Sequence, residues 1–273
     1  MTLVSVMLIL YIITICSASQ EHTKTVDIDI PRDTNSDILQ IYTDVTIVVS
    51  SKSEDTTWVN DNLNMYEISI YTPNNPSARH TTDYDKGFEV CMYLTYIINN
   101  YDKLSNHTVF LHGHRSSWHS RDITTIIPRL DWLNIEYANL NVNYFQRHSI
   151  SRDPYTYRFY KEVYEPVFGI IPPYINSYCC AQFAVSRTRI RSVPLSSYIA
   201  LDQWLRHTNM PCTQSGRAFE YVWSHILGER YDATPYPNGL CSIITCTSEE
   251  YSDVNMNFRL QYTPSNIFYV KQQ

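Results

Sequence analysis

Residues Val90–His112 read VCMYLTYIINNYDKLSNHTVFLH, and the class of the fold follows from this stretch. Val90–Asn100 carries apolar residues at helical spacing and closes on Asn-Asn, which predicts a helix starting near Gly87. Thr108–His112 (TVFLH) predicts a short buried strand. Working backward, Tyr66–Tyr71 (YEISIY) alternates as a strand does, and Asp44–Ser50 (DVTIVVS) is a β-branched run that suits a strand buried on both faces. Residues 72–86 form a turn-rich loop, and Ser51–Trp58 (SKSEDTTW) forms another, with a short helix near Thr56. Strand, loop, strand, helix, strand within about 70 residues is the order of an α/β protein with a mixed, parallel-rich sheet flanked by helices.

Working forward, Ile123–Leu140 reads as a helix interrupted by Pro128, and residues 141–178, rich in Tyr and Pro, as an irregular cleft-forming region. Ala181–Val185 predicts a strand. Pro194–Arg206 and Arg217–Gly228 predict amphipathic helices, the second stopped by Gly228. Beyond Gly228 the pattern assigns nothing.

The 273 residues carry a formal charge of −6 and are 44% hydrophobic, enough for one sizeable core. The mild acidity argues against nucleic acid as a partner, because phosphate backbones need a basic face. There are 23 Tyr and 6 Gly. Tyrosine suits polar, sugar-binding clefts, though AT-rich codon usage explains the same excess. The scarcity of glycine accompanies the absence of any glycine-rich phosphate loop. Leu3–Cys16 is an apolar run, followed by small residues, and predicts a cleaved signal peptide over residues 1–19. An uncleaved anchor, the one route to a membrane, is the alternative. A polar lead-in over 20–42 and a single α/β domain over 43–273 follow. Six cysteines then remain, and an oxidising compartment would permit up to three disulfides. Cys241 and Cys246 are expected to close a small loop, whereas Cys179 and Cys180, being adjacent, are expected to face different partners. Asn106-His107-Thr108 is a glycosylation sequon.

Chemistry is concentrated in His112-Gly113-His114-Arg115-Ser116-Ser117-Trp118-His119. On an extended backbone His112 and His114 point the same way, and His119 can fold back through the Ser-Ser turn. Such imidazoles suit a metal, a phosphate or acid–base work; hydrogen bonding within a turn is the plainer role. Glu54 and Asp55 follow the first strand, where they would hold a cation or a ribose or favour a helix N-terminus, and Trp58 would stack on a flat base. Glu89 stands at a helix start, as a cap or facing the cleft. Glu220 shares a helix face with Arg217 and suits either a general base or a surface ion pair.

These residues resemble the family known as domain of unknown function 3431. The match runs through Glu54-Asp55-x-x-Trp58, Gly87-x-Glu89 and Tyr93-Leu94, Asn100-Tyr101-Asp102, Phe110-Leu111-His112-Gly113-His114, Trp118-His119, Cys179-Cys180-Ala181-Gln182-Phe183-Ala184-Val185 and Gly216-Arg217-x-x-Glu220-Tyr221-x-Trp223. It spans roughly residues 45–230. It departs from the family at Asp85, where Asn is usual, and at Ser224, where His is usual. The pattern also looks like nucleotide-sugar glycosyltransferases of the A-type fold, with His112-Gly113-His114 in place of the Asp-x-Asp metal motif that normally follows the third strand.

The resemblance implies a glycosyltransferase of the secretory pathway, using a nucleotide sugar and a glycan or protein acceptor. Glu54, Asp55 and Trp58 would hold the donor, with Glu89 at the cleft. His112, His114 and His119 would hold diphosphate or a divalent ion, manganese or magnesium. Gln182 would line the acceptor cleft, Arg217 would bind substrate, and Glu220 would deprotonate the acceptor. A secreted glycan- or protein-binding module and a metal-dependent hydrolase built on the histidines are the competing expectations.

Overall fold

The computed structural model describes residues 44–152, 154–169 and 172–250, together with the backbone of 260–262 and 268–270. The expected signal peptide and lead-in lie outside the described residues.

The chain runs β1 (Val45–Ser50), α1 (Thr57–Leu63), β2 (Glu67–Pro73), β3 (His80–Thr82), α2 (Val90–Asn100) and β4 (His107–His112). Then follow α3 (Ile123–Ile126), β5 (Tyr137–Asn139), β6 (Phe145–Ser149), α4 (Pro154–Phe159), α5 (Glu165–Phe168), β7 (Tyr174–Tyr178) and β8 (Phe183–Ser186). Helices α6 (Arg187–Ser192), α7 (Leu195–His207), α8 (Cys212–Glu220) and α9 (Trp223–Ile226) complete the body, and β9 (Leu260–Tyr262) pairs with β10 (Phe268–Val270).

The main sheet has six strands in the order β3-β2-β1-β4-β8-β5. The first four are mutually parallel, and β8 runs antiparallel to both β4 and β5. The fold is therefore α/β with a mostly parallel mixed sheet. Alternation assigns the faces. Val45, Ile47, Val49, Val109, Leu111 and Ala184 enter one core with Val59 and Leu63 of α1. Val48, Phe110, Phe183 and Val185 enter the other with α2, α7 and α8. Both faces of β1 and β4 are covered, which explains their nearly uninterrupted apolar sequence.

The second core is aromatic. Tyr93 packs at 4.8 Å from Phe110, and Phe159, Phe219 and Trp223 continue the cluster. The Tyr93 hydroxyl is kept by donating to the Ala181 carbonyl at 3.2 Å.

Several sequence readings need correction. Ile123–Leu140 is not one helix. Pro128 lacks an amide to continue the helical ladder, so α3 tightens into a turn at Ile127–Arg129 and Leu130 goes extended; the remainder supplies β5. The helix expected over 217–228 begins earlier, at Cys212, and breaks after Glu220, where the Val222 amide bonds Phe219 rather than the residue one step further back. Gly228 does stop it. With φ +89°, it ends a motif in which Glu229 N–H reaches the Ser224 carbonyl and Gly228 N–H reaches that of His225. Residues 141–178 are less irregular than expected: β6 and β7 form a ladder, and α4 and α5 lie between them. Among the described residues no helix is long and apolar enough to cross a membrane.

Candidate functional site at the end of the parallel strands

Strand β1 has β2 on one side and β4 on the other, so the chain reverses direction across the sheet between β1 and β4. Open α/β sheets bind ligands in the crevice beyond the strand ends at such a reversal. The loops leaving Ser50 and His112 flank it here. Between them lies a cavity of about 410 Å³, lined among others by Lys52, Glu54, Phe88, Glu89, His112, His114, Trp118, His119, Cys180 and Glu220. A larger cavity of about 560 Å³ lies beside β3, α2 and α7. Its cation, Arg206, is already paired with Asp202 and Asp83, and no comparable cluster lines it.

Two close approaches build the site. Gly113 carries the chain out of β4 against Glu54; a Cβ there would stand 3.0 Å from the Glu54 Cβ. Gly216 lets α8 approach the turn at Gly87–Phe88; a Cβ there would meet Phe88 Cδ2 at 2.6 Å and the Gly87 carbonyl carbon at 3.1 Å. That approach sets Glu220, one turn further along α8, opposite Glu89. Gly216→Ala is expected to cost about 1–3 kcal/mol of stability by overpacking, read as a fall in the urea midpoint at unchanged slope.

His112, His114 and His119 form a triangle with ring centroids 5.1, 5.8 and 5.8 Å apart. One ring nitrogen from each lies within 4.8 Å of the others. Nε2 of His112 and of His114 is buried without a hydrogen-bond partner. The third ring is held by a chain of amides whose two ends admit no ambiguity. The His112 backbone N–H must donate, and it meets Gln182 Oε1 at 3.1 Å. Gln182 Nε2 then donates to Asn141 Oδ1 at 3.0 Å. Asn141 Nδ2 donates to the Cys179 carbonyl, which must accept, at 2.9 Å. Asn141 Oδ1 is thereby an acceptor, so His119 Nδ1, 3.0 Å from it, carries the proton and Nε2 keeps the lone pair. A side chain that orients an imidazole through its far nitrogen is the usual support of a metal ligand.

Burial lowers the pKa of all three rings, taking His112 down to about 3. Burial pushes Glu89 the other way, up to about 8, with the Glu220 carboxylate adding to the rise. Burial disfavours the charged form of both partners, so it works against an ion pair at the 4.0 Å approach of Glu89 to His112 Nε2. Glu220 is also raised by burial, against the opposing Cys180 amide and Arg217. The three neutral imidazoles fit a divalent transition ion. A zinc–nitrogen bond of about 2.0–2.1 Å asks the nitrogens to close to about 3.4 Å, a rotamer adjustment from the spacing observed. An all-nitrogen set suits zinc better than the manganese or magnesium expected from sequence, since magnesium prefers oxygen.

The other expected site residues divide. Glu54 lines the cavity, but its carboxylate is engaged by the Lys52 amide at 2.7 Å, the Ser53 amide at 3.1 Å and the Ser51 hydroxyl at 3.0 Å. Burial disfavours its charge, yet the loop amides outweigh burial and lower its pKa. Asp55 is exposed outside the cavity lining and accepts from the Thr57 amide and hydroxyl in the turn that leads into α1. Trp58 is no stacking platform: its indole N–H donates to the Gly113 carbonyl at 2.9 Å, and its ring packs on the core. Gln182 is buried behind the wall, where it orients imidazoles rather than meeting an acceptor. Arg217 is exposed on α8, outside the cavity lining.

Asn141, Lys52, Phe88 and Trp118 complete the site. Asn141 sits in the region read as irregular and carries no sequence signal. Trp118 is 74% exposed at the rim. Asp122 pins the loop that carries Trp118 and His119. It caps α3 at the Thr124 amide and takes Arg115 in a fork. The Arg115 guanidinium, with the Thr124 groups, holds its carboxyl down to about 2. A depressed carboxyl stabilises the fold above its unfolded pKa, and that contribution is lost as pH falls from about 4 toward 2. Asp122→Ala is expected to cost about 1 kcal/mol, mostly the cap, because the exposed ion pair adds little. Urea melts at pH 7 and pH 2.5 check this: the deficit is largest at pH 7 and shrinks at pH 2.5.

The cysteines correct one expectation. Cys179 and Cys180 pair with each other rather than with distant partners, and Cys180 lines the cavity. The turn they make, with φ +72° at Cys180 and +46° at Ala181, accommodates the adjacent bridge. Cys241 and Cys246 close their loop as expected, and Cys91 and Cys212 remain free thiols.

Residues 46–249 match the family model described as "Protein of unknown function (DUF3431)". The chain belongs to this family. No curated protein and no solved structure matches it. The family match takes in the whole lining of the cavity, from Ser50 to Glu220.

Proposed function

We propose that this member of the family is a metal-dependent glycosyltransferase-like enzyme, taking a sugar from a nucleotide donor to a hydroxyl acceptor. The observation that carries the reading is the convergence of three imidazole nitrogens and two half-buried carboxyl groups in one cavity at the sheet's reversal point. The nearest cation, Lys52, is already paired with Asp85, so a diphosphate in the cavity needs a metal to neutralise it. His112, His114 and His119 would hold that ion where the resemblance puts the metal motif. Glu220, made more basic by burial, would take the acceptor proton. Phe88 and Trp118 would offer apolar faces to a sugar ring.

A hydrolase is the second reading, favoured by the three-nitrogen set itself, which leaves an open position for water on zinc. The two differ in whether water or an acceptor hydroxyl attacks. Protein loaded with zinc or manganese, incubated with a panel of nucleotide sugars, separates them. Release of nucleoside diphosphate that rises with added acceptor supports transfer. Release independent of acceptor supports hydrolysis. Stoichiometric metal binding without turnover or thermal stabilisation by any donor would remove both and leave a binding module.

The two disulfides suit an oxidising compartment, so the same proposal places the protein in the secretory pathway. Asn106 is exposed just before β4, which suits a glycan on its sequon.

A further inference from the structure

We infer that the Cys179–Cys180 disulfide is a redox-operated positioning element, holding one peptide group that orients both the histidine cluster and Glu220. The inference rests on the metal-site reading above. A single peptide group joins the two cysteines, and both of its polar atoms serve the site. Its carbonyl, on Cys179, accepts from Asn141 Nδ2 at 2.9 Å, and its amide, on Cys180, donates to Glu220 Oε1 at 2.9 Å. Through Asn141 the carbonyl sets the His119 tautomer, and through Gln182 it is tied to the His112 backbone. The amide fixes the carboxyl that faces Glu89. One peptide plane thus couples the metal ligands to the proton acceptor.

The disulfide closes a small ring around that plane. The backbone is left-handed at Cys180, within the ring, and at Ala181 after it, a region that residues other than glycine visit seldom. Cys180 borders the cavity and is only partly buried, so a dithiol entering the cavity reaches its sulfur. Reduction breaks the S–S bond; the dithiol supplies two electrons and two protons and leaves as a disulfide, and two thiols remain. With the ring open, the peptide is free to turn. Asn141 then loses its anchor, His119 its fixed tautomer and Glu220 its donor. The oxidised form is the assembled site and the reduced form the dispersed one. The Cys241–Cys246 bridge orients none of these groups and serves as the internal control.

The test compares four samples: oxidised wild type; wild type reduced with a dithiol and freed of it anaerobically; Cys179→Ala with Cys180→Ala; and Cys241→Ala with Cys246→Ala. Zinc affinity is measured by competition with a chromogenic chelator, and the His119 tautomer by nitrogen NMR of the metal-free protein. The alanine pair is needed because freed thiols of Cys179 and Cys180 lie with Glu220 within 4.8 Å and would themselves take zinc. The expected result is one tight site in the oxidised protein, with His119 protonated at Nδ1. In the Cys179/Cys180 variant, affinity falls about 10–100-fold, as for other losses of ligand orientation, and both tautomers appear. The control variant matches wild type.

Wild-type zinc affinity and a single tautomer in the folded Cys179/Cys180 variant would overturn the inference. If that variant does not fold, the reduced wild type decides by the tautomer readout: an unchanged Nδ1–H signal rejects the inference, and a mixture supports it. If oxidised wild type binds no zinc, the metal-site reading falls, while the tautomer comparison still accepts or rejects the positioning role.

Discussion

His119→Ala is expected to weaken zinc binding by more than the roughly 10–100-fold that loss of an orienting partner alone would cost. Of the three rings, His119 is the one whose lone pair is directed by an unbroken chain of hydrogen bonds, from the His112 amide through Gln182 and Asn141. Removing it takes away a ligand and leaves Asn141 Oδ1 with Gln182 as its remaining donor. Asn141→Ala should give the smaller, orienting loss, and the two losses should not add, because both act through one nitrogen. Thermal melts without metal separate this from unfolding. His119 sits in a loop pinned independently by Asp122, so the metal-free variant should melt within a few degrees of wild type. Calorimetric titration with zinc reads the affinity. Equal affinity in His119→Ala and wild type would disprove the three-histidine site.

Glu220→Gln should reduce turnover by about 10²–10⁴-fold, the usual worth of a positioned general base, with metal affinity and fold intact. Glutamine keeps the shape and still accepts the Cys180 amide, so the loop at Cys179–Ala181 should stay in place. It cannot accept a proton. Glu89→Gln should cost less at pH 7, because burial already holds that carboxyl in its acid form, with a pKa of about 8. The ranking of the two variants is thus an outcome of opposite protonation demands within one cavity. Steady-state rates on whichever nucleotide sugar is turned over, with metal saturating, measure it. A Glu89→Gln defect larger than that of Glu220→Gln would reassign the base.

The α/β class and its site differed in how far they could be read in advance. TVFLH at 108–112 and DVTIVVS at 44–50 are legible as buried strands because both faces of β1 and β4 are covered, so no charged residue and only threonine breaks either apolar run before its end. Helix α2 is legible for the complementary reason: most of its residues face core. Ile123–Leu140 misled because a short helix, a turn and an edge strand in succession mimic one amphipathic run. The histidines were legible because three of them fall within eight residues, and local backbone geometry alone brings such neighbours together.

Asp55 and Trp58 show where local reading stops. Their residue types suit a ligand, but the hydrogen bonds to the Thr57 amide and to the Gly113 carbonyl claim them first. Asn141 and the peptide between Cys179 and Cys180 show the opposite case: Asn141 carries no motif, the Cys-Cys block carries one that says nothing of this role, and both decide how the imidazoles point. The sequence by itself determined which strands are buried, the clustering of His112, His114 and His119, and the closure of the Cys241–Cys246 loop, because each depends on residues close along the chain. Tertiary structure alone decided that Glu89, Glu220 and the histidines share one cavity, and that Cys179 pairs with Cys180. Those outcomes depend on α8 reaching the Gly87 turn across Gly216 and on a backbone turn that no residue pattern announces.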